Sequence, residues 1–278
     1  MIVTTTLRPS AALEARAALV AARTGWPLVP RRAALARLRQ EHGAAVCYVV
    51  GSQRDELQSD ADALFVHPGL FYLKRDTGLS HPLIRSVAPS GGRPPIRVVD
   101  ATLGLGGDAL HLAWALGTSL IGLEASPVIY SLLEEGLARM ASTPLRGFAD
   151  PASRVHPVLV DALQWLAEQP AGSADVVYLD PMFETPLSAP PGFELFRGFA
   201  HAVTLSEELV EAACRVASAR VVIKIPGASQ VPDFRRFDGR VRGGAVDYLV
   251  VEHELDARGW DAPNPGDPDR QARRAPGE

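Results

Sequence analysis

From residue 96 onward, short apolar runs alternate with longer amphipathic stretches. The apolar runs predict strands that are buried on both faces, because such strands read as nearly continuous hydrophobic sequence. They lie at 97–99, 119–123, 155–160, 175–179 and 220–225. The amphipathic stretches predict helices, and they lie at 108–115, 127–140, 162–168 and 205–217. This alternation indicates an α/β fold in which helices cover both faces of a mostly parallel, doubly wound sheet.

The last of these helices and the segment after it carry local signals. Thr204 and Glu207 match a capping box and predict the start of the helix at 205–217. Farther on, the runs 237–242 and 245–252 flank two glycines. This arrangement predicts a hairpin that adds antiparallel strands to one edge of the sheet.

The pattern before residue 88 mixes both kinds of element. Ser10 can cap a helix with Ala17 and Val20 on its apolar face, and a second short helix is predicted at 33–40. Apolar runs that predict strands lie at 44–50, 64–66 and 71–73. We therefore expect a small α+β lobe, a Pro/Gly-rich linker, a main α/β domain and a disordered tail, at 1–87, 88–95, 96–258 and 259–278.

Charge is distributed unevenly between these predicted parts. The 278-residue chain has a formal net charge of −4, which gives no argument for a nucleic-acid partner. Residues 1–95, however, hold 12 basic and 7 acidic residues, whereas residues 96–278 hold 16 basic and 25 acidic ones. The sequence thus predicts a basic lobe on an acidic main domain.

The cysteines and histidines show no pattern of a metal site. Cys47 and Cys214 lie far apart in apolar segments, so we expect two buried thiols in a reducing compartment. The seven histidines have no metal-ligand spacing, and we expect no metal cofactor. Because no signal-peptide pattern and no membrane-spanning apolar run is found, we expect a cytoplasmic protein without a membrane partner.

The first strand of the main domain runs into a glycine-rich turn at 100–108, DATLGLGGD. In a doubly wound sheet such a turn lies at the carboxyl end of the first strand, where ligands bind. Gly104 and Gly106 allow the backbone to approach a ligand, and the next helix presents free N–H groups. With Ala109, these glycines also match the dinucleotide pattern G-x-G-x-x-A. The turn alone therefore leaves the cofactor open, and a turn without any ligand is the alternative.

Acidic residues follow the next two strands. Glu124 ends the second strand, where a carboxylate can accept hydrogen bonds from both ribose hydroxyls of an adenosine. NAD and S-adenosylmethionine share that ribose, so Glu124 does not separate them. Asp161 follows the third strand and can hold an adenine amino group or simply cap the helix that begins at Ala162.

The fourth strand runs into Asp180-Pro181-Met182-Phe183. An acid, a proline, one residue and an aromatic in this order resemble motif IV of the S-adenosylmethionine methyltransferases that act on amino groups; a plain strand followed by a turn is the alternative. An exocyclic amine is a poor nucleophile, because its lone pair is delocalised into the base. The Asp180 carboxylate and the Pro181 carbonyl can accept its two N–H bonds and direct the lone pair to the methyl group, while Phe183 stacks the base.

Several segments together resemble the bacterial small-subunit ribosomal-RNA guanine-N2 methyltransferase family. They are DATLGLGGDAL, GLEASPV, VVYLDPMF and the run from ELFRGF to ARVVIKIPG, within about residues 97–226. The resemblance implies a Rossmann-like, seven-stranded class I methyltransferase sheet with S-adenosylmethionine as cofactor and S-adenosylhomocysteine as product. It also implies direct in-line methyl transfer to guanine N2, with ribosomal RNA or the small ribosomal subunit as partner and the N-terminal lobe recognising this substrate.

The motifs and the resemblance together give a set of expected site residues. The cofactor contacts are Asp100, Gly104, Gly106, Gly107, Asp108, Glu124, Ala125, Asp161, Ala162 and Asp180. The expected catalytic residues are Asp180, Pro181 and Phe183. The expected substrate contacts are Lys74 and Arg75 before the linker and Lys224 on the fifth strand, which can orient the substrate or the Asp180 carboxylate. Phosphate contacts can also come from Arg31, Arg32, Arg37 and Arg39, or these are solvated surface arginines.

Other functions stay open on the sequence alone. One is a methyltransferase with a small-molecule or protein substrate, which the acidic net charge favours. Another is a NAD-dependent oxidoreductase, although no Tyr-x-x-x-Lys or His–Asp pair is evident for a proton relay. The third is a cofactor-binding module that recognises RNA or a protein without transferring a methyl group.

Overall fold

The structure is a computed structural model that describes residues 1–67, 78–88, 95–142, 149–182, 191–201, 203–227, 229 and 231–253. Several predictions lie outside the described residues. They are the site residues Lys74, Arg75 and Phe183, the run at 71–73, most of the linker at 88–95 and the tail at 259–278.

A four-stranded sheet with flanking helices forms the N-terminal lobe. Its strands, in spatial order, are β1 (Ile2–Thr5), β2 (Cys47–Val50), β3 (Glu56–Gln58) and β4 (Ala63–Leu64). β1 and β2 are parallel, whereas β2, β3 and β4 pair antiparallel. Its helices are α1 (Ala11–Thr24) and α2 (Leu35–Glu41). A 3-10 turn at Gly78–Ser80 and a further helix, α3 (Pro82–Val87), follow, and α3 packs against the large sheet of the main domain. As predicted, Ser10 caps α1 by accepting a hydrogen bond from the Leu13 N–H at 3.4 Å.

A seven-stranded sheet forms the main domain, which confirms the predicted fold class. In spatial order its strands are β10 (Gly239–Arg242), β11 (Val246–Glu252), β9 (Ala217–Pro226), β8 (Ala174–Leu179), β5 (Val98–Asp100), β6 (Leu120–Glu124) and β7 (Val155–Leu159). The strands from β9 to β7 are parallel, and β10 and β11 are the predicted antiparallel hairpin. Since β5 lies between β6 and β8, the strand order reverses at β5, and ligands bind beside such a reversal.

Helices cover both faces of this sheet. They are α4 (Gly107–Leu116), α5 (Pro127–Ser142), α6 (Ala149–Ser153), α7 (Ala162–Glu168), α8 (Phe193–Phe199) and α9 (Glu207–Val216). Successive strand residues point to opposite faces, and Val98 accordingly packs in a cluster with α4 and α5, whereas Val99 packs in a second cluster with α7 and α9. This two-sided burial explains why the strands read as continuous apolar runs.

The predicted capping box of α9 is wrong. The helix begins at Glu207, and its cap is Ser206, whose side chain accepts a hydrogen bond from the Leu209 N–H at 3.2 Å. A capping side chain belongs to the residue directly before the first helical residue, and Thr204 lies two positions too early. The expected apolar face of this helix is correct, because Leu209 and Ala213 are buried.

The two sheets share one hydrophobic cluster. It contains Val3 and Tyr48 from the small sheet together with Val98 and Tyr178 from the large sheet. Val66 of the lobe can approach α5 closely because the helix has a glycine, Gly136, at this contact. A Cβ at Gly136 would lie 2.5 Å from the Cβ of Val66. The N-terminal lobe is thus packed directly against the main domain.

Candidate active site

A cleft opens at the carboxyl ends of β5, β6 and β8, beside the reversal of strand order. Its empty volume is about 440 Å³, including open solvent at the mouth. Five of the predicted cofactor residues line it: Gly104, Glu124, Ala125, Ala162 and Asp180. The other predicted cofactor residues do not line this cleft: Asp100, Gly106, Gly107, Asp108 and Asp161. The sequence thus located the cleft, and the roles of the individual residues stay predictions.

The glycine-rich turn between β5 and α4 has the conformation for which glycine is needed. Gly104 and Gly106 have positive φ angles of 53° and 75°, a region that residues with a side chain rarely adopt. A Cβ at Gly106 would lie 2.9 Å from Leu133 Cδ1, and one at Gly104 would lie 3.4 Å from the Phe196 ring. The turn therefore depends on glycine both for its backbone angles and for its packing.

Glu124 is a buried carboxylate held by two backbone donors. Its Oε2 accepts a hydrogen bond from the Gly104 N–H at 3.0 Å, and its Oε1 accepts one from the Ser126 N–H at 2.7 Å. Burial raises the pKa of Glu124, although these backbone donors oppose the shift. A carboxylate has about four acceptor positions, so Glu124 retains capacity for the hydroxyls of a ribose.

Asp161 caps a helix, which is one of the two roles that the sequence predicts for it. Its Oδ1 accepts a hydrogen bond from the Gln164 N–H at 3.0 Å at the start of α7. Its Oδ2 lies 3.7 Å from Nε2 of His201, which lines the cleft. The capping role is therefore confirmed, while contact with an adenine stays a prediction.

The structure brings Asp180, Lys224 and Asp108 together. Lys224 Nζ donates to Asp180 Oδ2 at 2.7 Å and to Asp108 Oδ2 at 3.0 Å. Burial disfavours the charged amine, but the two carboxylates outweigh burial and raise the pKa of Lys224, so it carries a proton at neutral pH. The Asp180 N–H donates to Thr102 Oγ1 at 2.6 Å. The Asp180 carboxylate is thus held from β9, and its backbone is held from the glycine-rich turn.

Asp100 lies at the end of β5 and is only 2% exposed. Its Oδ1 accepts a hydrogen bond from the Thr102 N–H at 3.0 Å. Burial, followed by the charges of Asp108 and Asp180, raises its pKa to about 8, against the opposing effects of that N–H and of Lys224. Its carboxyl group is therefore largely protonated at neutral pH.

Pro181, next to Asp180, is buried.

One wall of the cleft was missed by sequence reasoning. It is formed by Phe196 of α8 and by Ala200, His201 and Val203 after this helix, with Met182 next to them in the lining. The signal for this wall in the sequence is the recurrence of Phe193, Phe196 and Phe199 along one short segment.

Two of the four arginines considered for phosphate contact are already paired. Arg39 is 7% exposed and forms an ion pair with Asp60, and Arg37 pairs with Glu41 one helical turn away at 2.7 Å. Arg39 is therefore not a surface cation. Arg32 is exposed.

In the parts of the chain that the structure describes, no helix is long and apolar enough to cross a membrane. Within the same residues, no group of three or more His, Cys, Asp or Glu side chains has an arrangement that could hold a metal ion. Cys47 and Cys214 are both free and buried.

Comparison with known proteins gives a family match and related sequences. Residues 53–235 match the family model described as "Putative SAM-dependent methyltransferase". The chain is 42% identical to ribosomal RNA small subunit methyltransferase J of Laribacter hongkongensis over 155 residues, which is 54% of this chain and 53% of that relative. It is 33% identical to the protein of the same name from Thioalkalivibrio sulfidiphilus over 245 residues, covering 86% of this chain and 93% of that relative.

A solved structure supports the fold. It is a SAM-dependent methyltransferase from Neisseria gonorrhoeae with a TM-score of 0.65 and 20% sequence identity, and the match covers 92% of this chain and 98% of that chain. At this identity the likeness concerns the fold alone. The sequence matches go further: the chain belongs to the S-adenosylmethionine-dependent methyltransferases, in the family of the ribosomal RNA small subunit methyltransferases J, and S-adenosylmethionine rather than NAD is its cofactor.

Proposed function

We propose that this protein transfers a methyl group from S-adenosylmethionine to the exocyclic N2 amine of a guanine in the RNA of the small ribosomal subunit. The observation that carries the proposal is the Asp180 carboxylate, which lines the cleft and is held by Lys224 at 2.7 Å. Asp180 begins the motif that resembles amino-directed methyltransferases. The names of the relatives state ribosomal RNA of the small subunit as their substrate.

The residues of the cleft fit S-adenosylmethionine by their chemistry. Glu124 offers carboxylate oxygens to ribose hydroxyls, and the turn at Gly104 permits close approach of a ligand to the backbone. Val160, Ala162 and Val203 offer an apolar lining for the adenine ring. When bound, S-adenosylmethionine supplies an electrophilic methyl group on a sulfonium sulfur.

Asp180 and Pro181 act on the amine by positioning it. The Asp180 carboxylate accepts one N–H of the amine and the Pro181 carbonyl accepts the other, which directs the nitrogen lone pair out of conjugation with the ring. In the overall reaction the nitrogen gains the methyl group and releases one proton to solvent, and S-adenosylhomocysteine is the product. We assign stacking on the base to Phe183, which lies outside the described residues.

We assign substrate recognition to the N-terminal lobe, residues 1–87, which precedes a linker at 88–95 and the methyltransferase domain at 96–258. The excess of basic residues in 1–95 suits a partner with a phosphate backbone. Lys74, Arg75 and the exposed Arg32 are the proposed phosphate contacts. A ribosomal substrate also assigns the protein to the cytoplasm.

The test is methyl transfer to undermodified ribosomes. Small subunits from a strain that lacks this gene are incubated with purified protein and methyl-labelled S-adenosylmethionine, and the RNA is digested to nucleosides and analysed by mass spectrometry. We expect label in N2-methylguanosine at one position. Asp180→Asn should lower the rate at least about a hundredfold, because positioning of the nucleophile is lost.

Asp150→Asn is the matched control, since Asp150 is an exposed acid paired with Arg154 at 3.0 Å. It should leave the rate unchanged. Label in a different nucleoside would contradict the guanine N2 assignment. Label only in a small-metabolite or protein fraction would contradict an RNA substrate.

A further inference from the structure

A buried cluster behind the cleft joins three strands of the large sheet and the first turn of α4. Tyr178 on β8, Lys224 on β9 and Tyr248 on β11 lie on the same face, because Tyr178 pairs in register with Val222 and Tyr248 pairs with Lys224. Both tyrosines are at most 1% exposed. Asp108, in the first turn of α4, reaches this face of the sheet and is 9% exposed.

Asp108 interacts with two of these side chains through one oxygen. Its Oδ2 accepts a hydrogen bond from the Tyr178 hydroxyl at 2.8 Å and one from Lys224 Nζ at 3.0 Å. The same Nζ lies 2.7 Å from Asp180 Oδ2. Lys224 is thus held between one carboxylate that lines the cleft and one that does not.

We propose that Asp108 is a positioning residue that, together with the Tyr178 hydroxyl, holds the Lys224 ammonium against Asp180 and thereby fixes the catalytic carboxylate. The inference rests on the proposed function of Asp180 and assigns Asp108 a role other than the cofactor contact that the sequence predicts. A lysine side chain is long and flexible. Without Asp108, Lys224 would keep its contact with Asp180 but would lose the anchor that limits its motion.

The positive charge of Lys224 explains why it lies between two carboxylates. An ammonium that is mostly removed from water is stable only when it is paired and hydrogen-bonded. The side chain of Lys224 is 17% exposed, and its two carboxylate partners are 9% and 28% exposed. Asp108 is the more buried partner, so it anchors the ammonium on the inner side, whereas the more exposed Asp180 lines the cleft.

The first experiment observes Lys224 without measuring activity. The chain contains only two lysines, Lys74 and Lys224, so selective ¹³C,¹⁵N-lysine labelling gives a spectrum with two side-chain signals. The signal lost in Lys224→Arg is assigned to Lys224. In the wild type its ammonium protons should exchange slowly with water, and Asp108→Ala should accelerate this exchange at least about tenfold. Unchanged exchange in Asp108→Ala would overturn the proposal.

A second variant protects this test against misfolding. Tyr178→Phe removes only a hydroxyl, so a smaller acceleration of Lys224 exchange is expected in a chain that retains the ring. Asp108→Asn keeps an oxygen that can accept both hydrogen bonds, and it should restore part of the protection that Asp108→Ala loses. Equal exchange in wild type and Tyr178→Phe, together with no difference between the two Asp108 variants, would also overturn the proposal.

The second experiment separates positioning from cofactor binding. Affinity for S-adenosylhomocysteine is measured by calorimetry, and kcat is measured with undermodified small subunits. A positioning role predicts that Asp108→Asn lowers kcat about tenfold or more and changes the Kd by less than about threefold. The reverse, a Kd weakened about tenfold at unchanged kcat, would make Asp108 a cofactor ligand and overturn the proposal.

The two readouts also separate this inference from the proposed function. If the wild type methylates no ribosomal RNA, the proposed substrate is wrong, whereas the exchange of the Lys224 ammonium still tests whether Asp108 holds it. If the wild type methylates RNA and Asp108→Asn changes neither kcat nor the exchange, the proposed function stands and the positioning role is wrong.

Discussion

The backbone N–H of Gly192 donates a hydrogen bond to Asp62 Oδ2 at 2.6 Å, and this contact attaches the start of α8 to the small sheet. The approach is close, since a Cβ at Gly192 would lie 2.8 Å from the Ala63 carbonyl oxygen. At the other end of α8, Phe199 packs edge-to-face on Trp26 of the N-terminal lobe, with ring centroids 5.4 Å apart. Because Phe196 of the same helix lines the cleft, the N-terminal lobe supports one wall of the cleft.

Removing this contact should weaken cofactor binding at a distance. In Asp62→Ala the start of α8 loses a hydrogen bond to a charged acceptor, which contributes about 1 kcal/mol or more. We expect the Kd for S-adenosylhomocysteine, measured by calorimetry, to rise roughly fivefold. Glu41→Gln, at an exposed acid paired with Arg37, is the control and should bind like the wild type. Equal affinities for Asp62→Ala and the control would show that cofactor binding does not depend on the hydrogen bond between Asp62 and Gly192.

Glu124 should be needed for cofactor affinity. Glu124→Ala removes the expected ribose acceptor and leaves the N–H groups of Gly104 and Ser126 without their partner, so the Kd for S-adenosylhomocysteine should rise about tenfold or more. Glu124→Gln keeps one acceptor oxygen and should lie between this variant and the wild type. Glu134→Gln, at an acid on α5 whose side chain is 48% exposed, should have no effect. Wild-type affinity in Glu124→Ala would exclude the ribose contact.

The free energy of unfolding should depend on pH because Asp100 titrates. Its pKa is raised by burial to about 8 in the folded chain, from about 3.9 when unfolded, so the folded state binds more protons between these values. The stability that this group contributes is complete below its unfolded pKa and is lost as the pH rises through about 8.

Asp100→Asn cannot ionise and should abolish this dependence. The free energy of unfolding is measured with urea for wild type and variant at about pH 5 and about pH 8. Between the lower and the higher pH, the stability of the variant relative to the wild type should increase by at least about 1 kcal/mol. The amide oxygen can still accept the Thr102 N–H that Asp100 accepts. A difference between the two proteins that does not change with pH would contradict a raised pKa.

The two cysteines should be unreactive in the folded protein. Cys47 is 0% exposed and Cys214 is 8% exposed, and burial raises the pKa of both thiols, so little thiolate is present at neutral pH. A thiol reagent should modify both groups rapidly in denaturant and at least about tenfold more slowly in buffer. Fast reaction of either thiol in the native state would show that its segment opens readily.

Much of the main domain could be predicted because its elements have strong local signals. The helix predicted at 162–168 is found at Ala162–Glu168, and the predicted fourth strand at 175–179 is found at Ala174–Leu179. In contrast, β1 and β3 were not predicted as strands. β1 is only four residues long and pairs in parallel with β2 more than forty residues later, so its strand character depends on a distant partner. β3 is three residues long and was interpreted as part of a polar loop.

The sequence alone determined the alternation of strands and helices, the glycine-rich turn and the acids at the ends of parallel strands, because these features depend on periodicity and on local backbone requirements. Tertiary structure decided which of these groups meet. Asp108 and Lys224 are 116 positions apart in the chain. Only the order of the strands brings Lys224 Nζ to 3.0 Å from Asp108 Oδ2. Likewise, Phe196 lies in a wall of the cleft in a helix, α8, that contacts the N-terminal lobe through Asp62 and Trp26. Contacts between distant segments depend on how a chain packs, and periodicity carries no information about them.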